Sequence, residues 1–555
     1  MTRPTPILRF AIAVLASAAF GQPAPVHPGA ATFRITGTVL SSVSEQPLSR
    51  ASVSIANSED RQAFRAVEAS RDGTFSFAGL AAGKYQILVR CRGYRPSFYR
   101  EHAGFFTGVV VGPDSPEAQL VFRMEAEASI SGNIIDEAGD PVRDARVYLF
   151  HDAVEYGKRS THIAGTVTTD DEGTYRLPHL VPGRYFVVVT AEPWYAQHGV
   201  VRRTFNPGVM ERLSGVSAPE SPEQPNPELD VAYPVLYYPG ATEPDGAEPI
   251  QLHPGEHAVA DMALHPVRAL HVRLNVPGPA DENVNAIVQE RLFGDYKAQI
   301  GSSFARTDGQ GRELLGTAPG DYTISVTRFS RDGRQATSAP VNVRLSEEGN
   351  NSLDIGKPSI ATVSGTLTLP DRNGSGARVA LEGADQSGTS ARVDADGHFE
   401  FPQPTPPGRY EVRVQGRGAL AVATLKASGA KVIGQKIEIS GAEPIQLEIT
   451  AVRGNGTISG IVVSDGKPLA GACVVLIPAA AEDESLYRAD QSDSDGSFNL
   501  RAVIPGKYTL IAIADGWEVE WQNRDVAAAY LKDGVPVVVS ADGKYSFKVT
   551  AQAVK

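Results

Sequence analysis

Apolar residues in this chain come in short runs, in which β-branched and aromatic side chains alternate with polar ones. Leu270 to Val276 (LHVRLNV) shows this alternation, and Tyr185 to Thr190 (YFVVVT) is a short continuous run of β-branched and aromatic residues. The 555 residues include 54 glycines and 39 prolines, and stretches of strong helix formers are almost absent. This pattern predicts many short strands joined by turns, with one short helix at 524–533 (RDVAAAYLKD) that ends at Gly534.

A repeat organises these runs. The pattern Pro/Ala-Gly-x-Tyr, followed by a strand, occurs five times, with its tyrosine at Tyr85, Tyr185, Tyr322, Tyr410 and Tyr508. These tyrosines are 100, 137, 88 and 98 residues apart, which is one sandwich domain each, with an insertion in the second. We expect the chain to turn at the glycine of each pattern. We also expect each tyrosine to lie largely buried at the start of a strand.

A glycine precedes each of these tyrosines by 11 to 13 residues. Four of them stand in Asp-Gly-x-Phe or Glu-Gly-x-Tyr contexts, namely Gly73, Gly173, Gly397 and Gly496. The glycine supplies the positive φ of a tight turn, so we expect a hairpin here. The aromatic residue that follows is expected to begin the returning strand and to face the core.

Four of the units also open with a short strand that has a glycine at its centre. These strands are Ile35–Val39, Ile130–Ile134, Val363–Leu367 and Ile458–Val462. A glycine inside a strand marks a bulge or a close approach of backbone. The third unit lacks this opening, and its boundaries are therefore the least defined.

The order Ile-x-Gly-x-Val, Gly-x-Pro-Leu-x-Gly-Ala-x-Val, Asp-Gly-x-Phe, Pro-Gly-x-Tyr resembles the carboxypeptidase regulatory-like domain. The resemblance is clearest at 453–515 and 128–190, good at 33–92, fair at 360–415 and weak at 268–330. It implies a transthyretin-like (prealbumin-like) sandwich of seven strands, related to Cna B-type surface modules. It also implies a non-catalytic accessory module, often classed as a carbohydrate-binding-like fold.

The sequence thus predicts an all-β chain, a tandem array of about five transthyretin-like, immunoglobulin-like β-sandwich domains. The predicted domains are 31–124, 125–267 with a Pro-rich insertion at 196–235, 268–356, 357–452, and 453–555 with the short helix.

Residues 1–21 resemble a secretory signal peptide. Arg3 and Arg9 precede an apolar run from Phe10 to Phe20, which is too short to span a bilayer. No later segment reaches ~18 apolar residues, so we expect no membrane span after signal cleavage. The protein is expected to be exported from a bacterium to the periplasm, the outer cell surface or the medium. Its net charge of −12 is spread along the chain, which argues against nucleic acid as a partner.

Several segments match chemical patterns but also fit simpler structural interpretations. The segment His253-Pro254-Gly255-Glu256-His257 satisfies a zinc-peptidase spacing, but that spacing needs a helix, and Pro-Gly makes a turn instead. The acidic segment from Asp490 to Asp495 contains fragments of a calcium loop, but hairpin turns also favour Asp-Gly. No Gly-x-Ser-x-Gly elbow, phosphate loop or Cys-x-x-Cys pair occurs. The sequence therefore predicts no catalytic residue, no metal site, no cofactor and no enzyme.

The two cysteines, Cys91 and Cys473, fall in different units. Cys473 lies in an apolar run, so we expect a buried core residue here and not a long-range disulfide.

Aromatic residues at loops are the candidates for carbohydrate binding, since exposed rings stack on sugar faces. They are Trp194, Tyr195, Tyr237, Tyr238, Trp517 and Trp521. The alternative is that these rings cap the sandwich edges as part of the core. The leading hypothesis is a non-enzymatic, exported binding or structural protein of the cell envelope, with an unidentified polysaccharide or cell-envelope protein as its partner. Recognition of a polysaccharide through the loop aromatics is the first alternative, and an accessory region of a hydrolase is the second.

Overall fold

The computed structural model describes residues 32–58, 64–198, 226–277, 283–294, 296–300, 303–307, 311–329, 335–349, 352–357, 359–369, 376–383, 388–479 and 484–555. The predicted signal segment 1–21 and residues 199–225 of the predicted insertion lie outside these ranges. Strands pair into sheets that stack in twos around separate apolar cores, and this gives five consecutive β-sandwiches, modules 1 to 5. The prediction of an all-β tandem array of about five transthyretin-like sandwiches is confirmed.

The first two modules span 33–124 and 128–268. The strands of module 1 are β1 (Phe33–Ser41), β2 (Ser52–Asn57), β3 (Phe64–Glu68), β4 (Thr74–Leu80), β5 (Gly83–Arg90), β6 (Ser97–Phe98), β7 (Val109–Val111) and β8 (Glu117–Met124). Those of module 2 are β9 (Ala128–Ile135), β10 (Arg146–Glu155), β11 (Lys158–Thr168), β12 (Thr174–Leu180), β13 (Gly183–Thr190), β14 (Val231–Ala232), β15 (Leu236–Tyr237), β16 (Ile250–Leu252), β17 (His257–Val259), β18 (Met262–Ala263) and β19 (Val267–Arg268).

Modules 3 and 4 span 270–354 and 363–454. The strands of module 3 are β20 (Leu270–Asn275), β21 (Asn283–Arg291), β22 (Lys297–Gln299), β23 (Ser303–Thr307), β24 (Gly311–Thr317), β25 (Gly320–Phe329), β26 (Gln335–Thr337), β27 (Val341–Leu345) and β28 (Ser352–Asp354). Those of module 4 are β29 (Val363–Thr368), β30 (Arg378–Gly383), β31 (Gly388–Arg392), β32 (His398–Glu400), β33 (Gly408–Gln415), β34 (Ala419–Ser428), β35 (Lys431–Ile433), β36 (Lys436–Ile439) and β37 (Ile445–Gly454).

Module 5 spans 456–550 and carries the helix. Its elements are β38 (Gly456–Ser464), β39 (Lys467–Pro468), β40 (Cys473–Pro478), β41 (Arg488–Gln491), β42 (Ser497–Val503), β43 (Gly506–Ile513), α1 (Arg524–Leu531), β44 (Val535–Val539) and β45 (Lys544–Thr550). The Asn523 side chain caps α1 by accepting a hydrogen bond from the Asp525 amide. Ala527 and Tyr530 on α1 are buried against the last sandwich.

All five modules share one topology. The first strand is central in its sheet, where it pairs with one antiparallel strand and with a parallel strand from the end of the module. In module 1, β1 pairs antiparallel with β4 and parallel with β8, and in module 5 β38 does the same with β42 and β45. The facing sheet of module 1 has the order β3-β2-β5-β6, with β7 also paired to β5, so β2 and β5 are its central strands.

The four Asp-Gly or Glu-Gly turns have positive φ as predicted, but the prediction of a hairpin was wrong. The strands on either side of each turn, for example β3 and β4, belong to opposite sheets. At Gly173 φ is +72°, and an added Cβ would lie 2.6 Å from the Ile134 carbonyl oxygen. The turn therefore carries the chain across the sandwich, because the aromatic residue that follows must reach the first strand of the other sheet.

That aromatic residue lies directly opposite the central glycine of the first strand. The cross-strand pairs are Gly37 with Phe75, Gly132 with Tyr175, Gly365 with Phe399 and Gly460 with Phe498. At Gly460 an added Cβ would lie 1.9 Å from the Phe547 carbonyl oxygen and 2.9 Å from the Phe498 ring. The ring covers the glycine, and two landmarks of the sequence are thus one packing unit.

The repeated tyrosines use both the ring and the hydroxyl group. Four are buried, and the Tyr410 ring is half-buried. Each hydroxyl donates to the backbone carbonyl four residues earlier, at 2.8–3.0 Å: Tyr85 to Ala81, Tyr185 to Val181, Tyr322 to Ala318, Tyr410 to Pro406 and Tyr508 to Ile504. These bonds hold the second crossing between the sheets in one geometry.

Both cysteines are free, and Cys473 is fully buried while Cys91 is half-buried. Burial raises the pKa of the Cys473 thiol to about 12. Among the described residues, no helix has the length and apolar character needed to cross a membrane.

Candidate functional site

The six candidate aromatic residues lie in very different environments. Trp194 is 88 % exposed, whereas Tyr237 and Trp521 are 1 % and 2 % exposed. Tyr195, Tyr238 and Trp517 are half-buried. Because a buried ring offers no face to a sugar, Tyr237 and Trp521 no longer qualify as carbohydrate-binding residues.

Trp521 is buried by another module. Its ring packs edge-on against Tyr156 of module 2, with centroids 5.0 Å apart, and lies 5.8 Å from the Tyr487 ring. Gly157, beside Tyr156 at the tip of the β10–β11 hairpin, lies against the indole so closely that an added Cβ would be 2.1 Å from it. The tip of this hairpin therefore docks on module 5 at Trp521.

Trp517 contacts module 1. Its ring stacks on His102, with centroids 5.2 Å apart and planes inclined by 2°, and it lies 5.3 Å from the Phe105 ring. The indole Nε1 donates to the Gly471 carbonyl oxygen at 3.2 Å. Both tryptophans of module 5 are thus used in contacts between modules, which residue spacing alone could not reveal.

Polar side chains complete the contact between modules 1 and 5. Asp493, 3 % exposed, pairs with Lys84 at 2.6 Å and accepts a hydrogen bond from the Gly108 amide at 2.9 Å. Gln491 Nε2 donates to the Arg100 carbonyl oxygen at 2.6 Å and to Thr107 Oγ1 at 2.8 Å. We name this set of contacts, together with those of Trp517 and Trp521, the three-module junction.

The electrostatics of Asp493 reflect this position. Burial raises the pKa of the Asp493 carboxyl, and the ion pair with Lys84 acts in the opposite direction. The same carboxylate accepts from Ser497 Oγ within its own turn. The sequence predicts a hairpin turn here, and the flanking residues 488–492 (RADQS) are mostly polar and give no sign that Asp493 is buried.

Module 2 adds a second polar contact at the junction. The Tyr156 hydroxyl donates to the Tyr487 carbonyl oxygen at 3.1 Å, and Lys158 pairs with Glu484 at 2.6 Å. The Gln522 amide donates to the Gly157 carbonyl oxygen at 2.9 Å. Because these groups are hydrogen-bonded in pairs, the contact has a defined geometry.

Tyr237 lies in the contact between modules 2 and 3. Phe293 of module 3 enters an aromatic cluster of module 2, and its ring centroid is 5.4 Å from Tyr237, 4.8 Å from Phe186 and 5.2 Å from Phe150. This cluster covers the outer face of the β10–β13 sheet, so that face is core and not surface.

Trp194 and Tyr195 form the one exposed platform among the six candidates. Their rings are perpendicular, with centroids 5.8 Å apart. The hydroxyls of Tyr195 and Tyr233 both donate to the Glu137 carboxylate, Tyr233 at 3.1 Å. Burial and the bond to Glu137 raise the pKa of Tyr195 to about 12, so the phenol stays protonated as a donor.

The segment from His253 to His257, which has the zinc-peptidase spacing, forms a turn in the structure. His253 and Glu256 flank it, with the His253 amide donating to the Glu256 carboxylate at 2.8 Å. His257 begins β17 and lies 2.8 Å from Ser129 Oγ. The two histidines belong to different elements and do not share a helix face.

Known protein families match individual modules of this chain. Residues 34–125 and 129–204 match the carboxypeptidase regulatory-like domain, and residues 455–535 match the BOS complex subunit NOMO1-like, second beta sandwich domain. No curated protein matches the chain.

Similar solved structures include three bacterial proteins. The Streptococcal ancillary pilin is 13 % identical, with 51 % of this chain and 99 % of that chain covered, at a TM-score of 0.20. GBS52, the minor pilin of Streptococcus agalactiae, is 11 % identical, with coverages of 44 % and 98 % and a TM-score of 0.21. The TIE protein of Bacillus anthracis is 10 % identical, with coverages of 96 % and 76 % and a TM-score of 0.16. Similarities at these sequence identities and TM-scores do not indicate a function for this chain.

Proposed function

We propose that this chain, whose first two modules are carboxypeptidase regulatory-like domains, is a non-enzymatic exported protein of the bacterial cell envelope. In this proposal its five sandwiches form a scaffold that presents binding surfaces in a fixed arrangement. The observation that carries the proposal is the three-module junction, where the last module folds back on the first two. In a flexible string of modules, Asp493 would not be buried against module 1, where its carboxylate accepts a hydrogen bond from the Gly108 amide, 385 residues earlier in the chain.

The physical argument rests on the cost of burying polar groups. Asp493, Gln491 and Thr107 are all buried, and each loses its water when the modules dock. Such groups stabilise a contact only in the arrangement that pairs them all, so the junction selects one geometry over many others. We infer that the relative placement of the modules matters for function.

Small-angle X-ray scattering of the full chain tests the closed arrangement. Five sandwiches of roughly 35 Å placed end to end would give a radius of gyration of roughly 50 Å, against roughly 25 to 30 Å for a compact chain of this length. We expect a value near the compact limit. A value near that of the rod would refute the scaffold.

A matched pair of variants tests the junction itself. Asp394 occupies in module 4 the turn position that Asp493 has in module 5, and it accepts amide hydrogen bonds within its own turn. We expect Asp493→Ala to raise the radius of gyration and to speed hydrogen exchange at Gly108, whereas Asp394→Ala changes neither. Equal effects of the two substitutions would show that only the turn matters.

Location is tested separately. We expect the mature protein in the envelope or outside the cell, with its N-terminus within a few residues of Gly21. Cell fractionation and N-terminal sequencing check this. An intact Met1 on cytoplasmic protein would exclude export without bearing on the scaffold.

The exposed platform supports a second candidate function, recognition of a polysaccharide. Trp194 is largely exposed, and the Glu137 carboxylate, which is hydrogen-bonded to the neighbouring Tyr195, can accept hydrogen bonds from sugar hydroxyls. An array of plant, fungal and bacterial glycans tests it, with Trp194→Ala as the variant. Phe64, 61 % exposed on β3 of module 1, gives the control Phe64→Ala. Binding that is lost in Trp194→Ala and kept in Phe64→Ala would support glycan recognition. An array without any binding would rule out this second candidate function.

A further inference from the structure

Two histidines and a glutamate converge on the β10–β11 hairpin of module 2. His151 on β10 lies directly opposite His162 on β11 in the antiparallel register. Glu155 follows His151 by four residues along β10 and therefore points to the same face of the sheet. One oxygen or nitrogen atom of each side chain lies within 4.8 Å of those of the other two.

The polar atoms of this cluster are incompletely used. His162 Nε2 lies 3.5 Å from Glu155 Oε1, beyond the usual length of a good hydrogen bond. His162 Nδ1 is shielded from solvent and has no hydrogen-bond partner among the described residues. A shielded nitrogen without a hydrogen-bond partner costs free energy, and a ligand able to bind the His162 side chain would offset that cost.

His151 is held in place for a ligand role. Its ring stacks on Tyr185, with centroids 4.7 Å apart and planes inclined by 20°, and the edge of the ring meets Gly183. Burial, followed by the nearby His162, lowers the pKa of His151. The stacking on Tyr185 restricts the orientation of the imidazole ring, which faces His162 across the hairpin.

We propose that His151, Glu155 and His162 bind a divalent transition-metal ion such as Zn²⁺. Two imidazole nitrogens and a carboxylate oxygen are a donor set that zinc accepts. On tetrahedral zinc, with bonds of roughly 2.0–2.1 Å, ligand atoms lie roughly 3.3–3.4 Å apart. The observed separations reach this after side-chain shifts of about 1 Å or a little more, and the fourth position is left to water or to a ligand.

The position of the site gives the ion a role. Glu155 directly precedes Tyr156 and Gly157, the hairpin tip that docks on Trp521. An ion that joins β10 to β11 stiffens the hairpin next to its tip and so favours docking of module 5. Binding of the ion does not depend on the proposed function, whereas its effect on docking rests on the three-module junction.

Calorimetric titration of Zn²⁺ into the full chain, purified without a histidine tag and stripped by a chelator, tests the proposal. We expect one ion per chain, and roughly 100-fold weaker binding in Glu155→Gln and His162→Gln, because each removes one of three protein ligands. His151 itself is left intact, since it packs on Tyr185.

The chain supplies a matched control. His179 of module 2 pairs with Glu127, just before the module begins, at 2.6 Å, but there is no second imidazole in that pair. We expect His179→Gln to leave zinc affinity unchanged. Co²⁺ provides an independent readout, since a tetrahedral site gives intense visible absorption that Glu155→Gln should abolish. No binding by the intact chain, or binding that survives both ligand substitutions, would overturn the proposal.

Discussion

Glu290 should make the stability of module 3 fall as the pH rises. It lies on β21 opposite Tyr322 and is only 7 % exposed. Burial, with lesser contributions from the negative charges of Asp321 and Glu243, raises the pKa of its carboxyl to about 8, against a hydrogen bond with Tyr322 that lowers it. The folded protein therefore carries a neutral Glu290 at pH 7.

The magnitude follows from linkage. The ordinary pKa of the group is about 4.5, so between pH 4.5 and 8 the unfolded chain has lost a proton that the folded chain keeps. Unfolding then becomes easier by about 1.4 kcal/mol per pH unit. From pH 4.5 to 7 the free energy of unfolding should fall by about 3 kcal/mol through this group alone.

Glu290→Gln removes the titration while keeping the shape of the side chain. We expect the stability of the variant relative to the parent to increase by about 3 kcal/mol between pH 4.5 and 7 and to level off above pH 8. Urea unfolding of the full chain checks this, with peptides of β21 and β25 followed by pulsed hydrogen exchange at one labelling pH. The control is Glu347→Gln, at an exposed position of the same module.

Two outcomes would refute the reasoning. One is a variant whose stability follows that of the parent in parallel across this pH range. The other is a Glu347→Gln variant with the same pH dependence as Glu290→Gln, since the effect would then come from net charge and not from burial.

Two further predictions concern packing. Gly157→Ala places a methyl group against Trp521 and should detach the hairpin tip, which tryptophan fluorescence would report as a red shift; Gly139→Ala, at a similar positive φ with no atom within 4 Å, should leave the emission unchanged. Tyr508→Ala should cost about 3–5 kcal/mol in urea unfolding through loss of the ring, and Tyr508→Phe about 1 kcal/mol through loss of the bond to Ile504. If Phe proves as damaging as Ala, the hydroxyl and not the ring holds the crossing.

The interior of each module was predictable because its signals are local. Strand alternation, the positive-φ glycines and the tyrosines all lie within about 13 residues of one another, where backbone geometry and side-chain periodicity act directly. The sheet to which a strand belongs is not a local property, so the sequence around the Asp-Gly turn predicts a hairpin although the two strands lie in opposite sheets. Alternation shows which face of a strand is apolar but not which strand is its neighbour.

The sequence by itself determined the sandwich, its repeat and its count. Only the tertiary structure decided which candidate residues are exposed. Trp517 and Trp521 are covered by residues that lie more than 300 positions earlier in the chain. Asp493 forms an ion pair with Lys84 of another module. The hairpin also brings together His151, Glu155 and His162, whose sequence spacing matches no metal motif. The physical reason is that contacts between modules bury surface of ordinary composition, so they leave no periodic mark in the sequence.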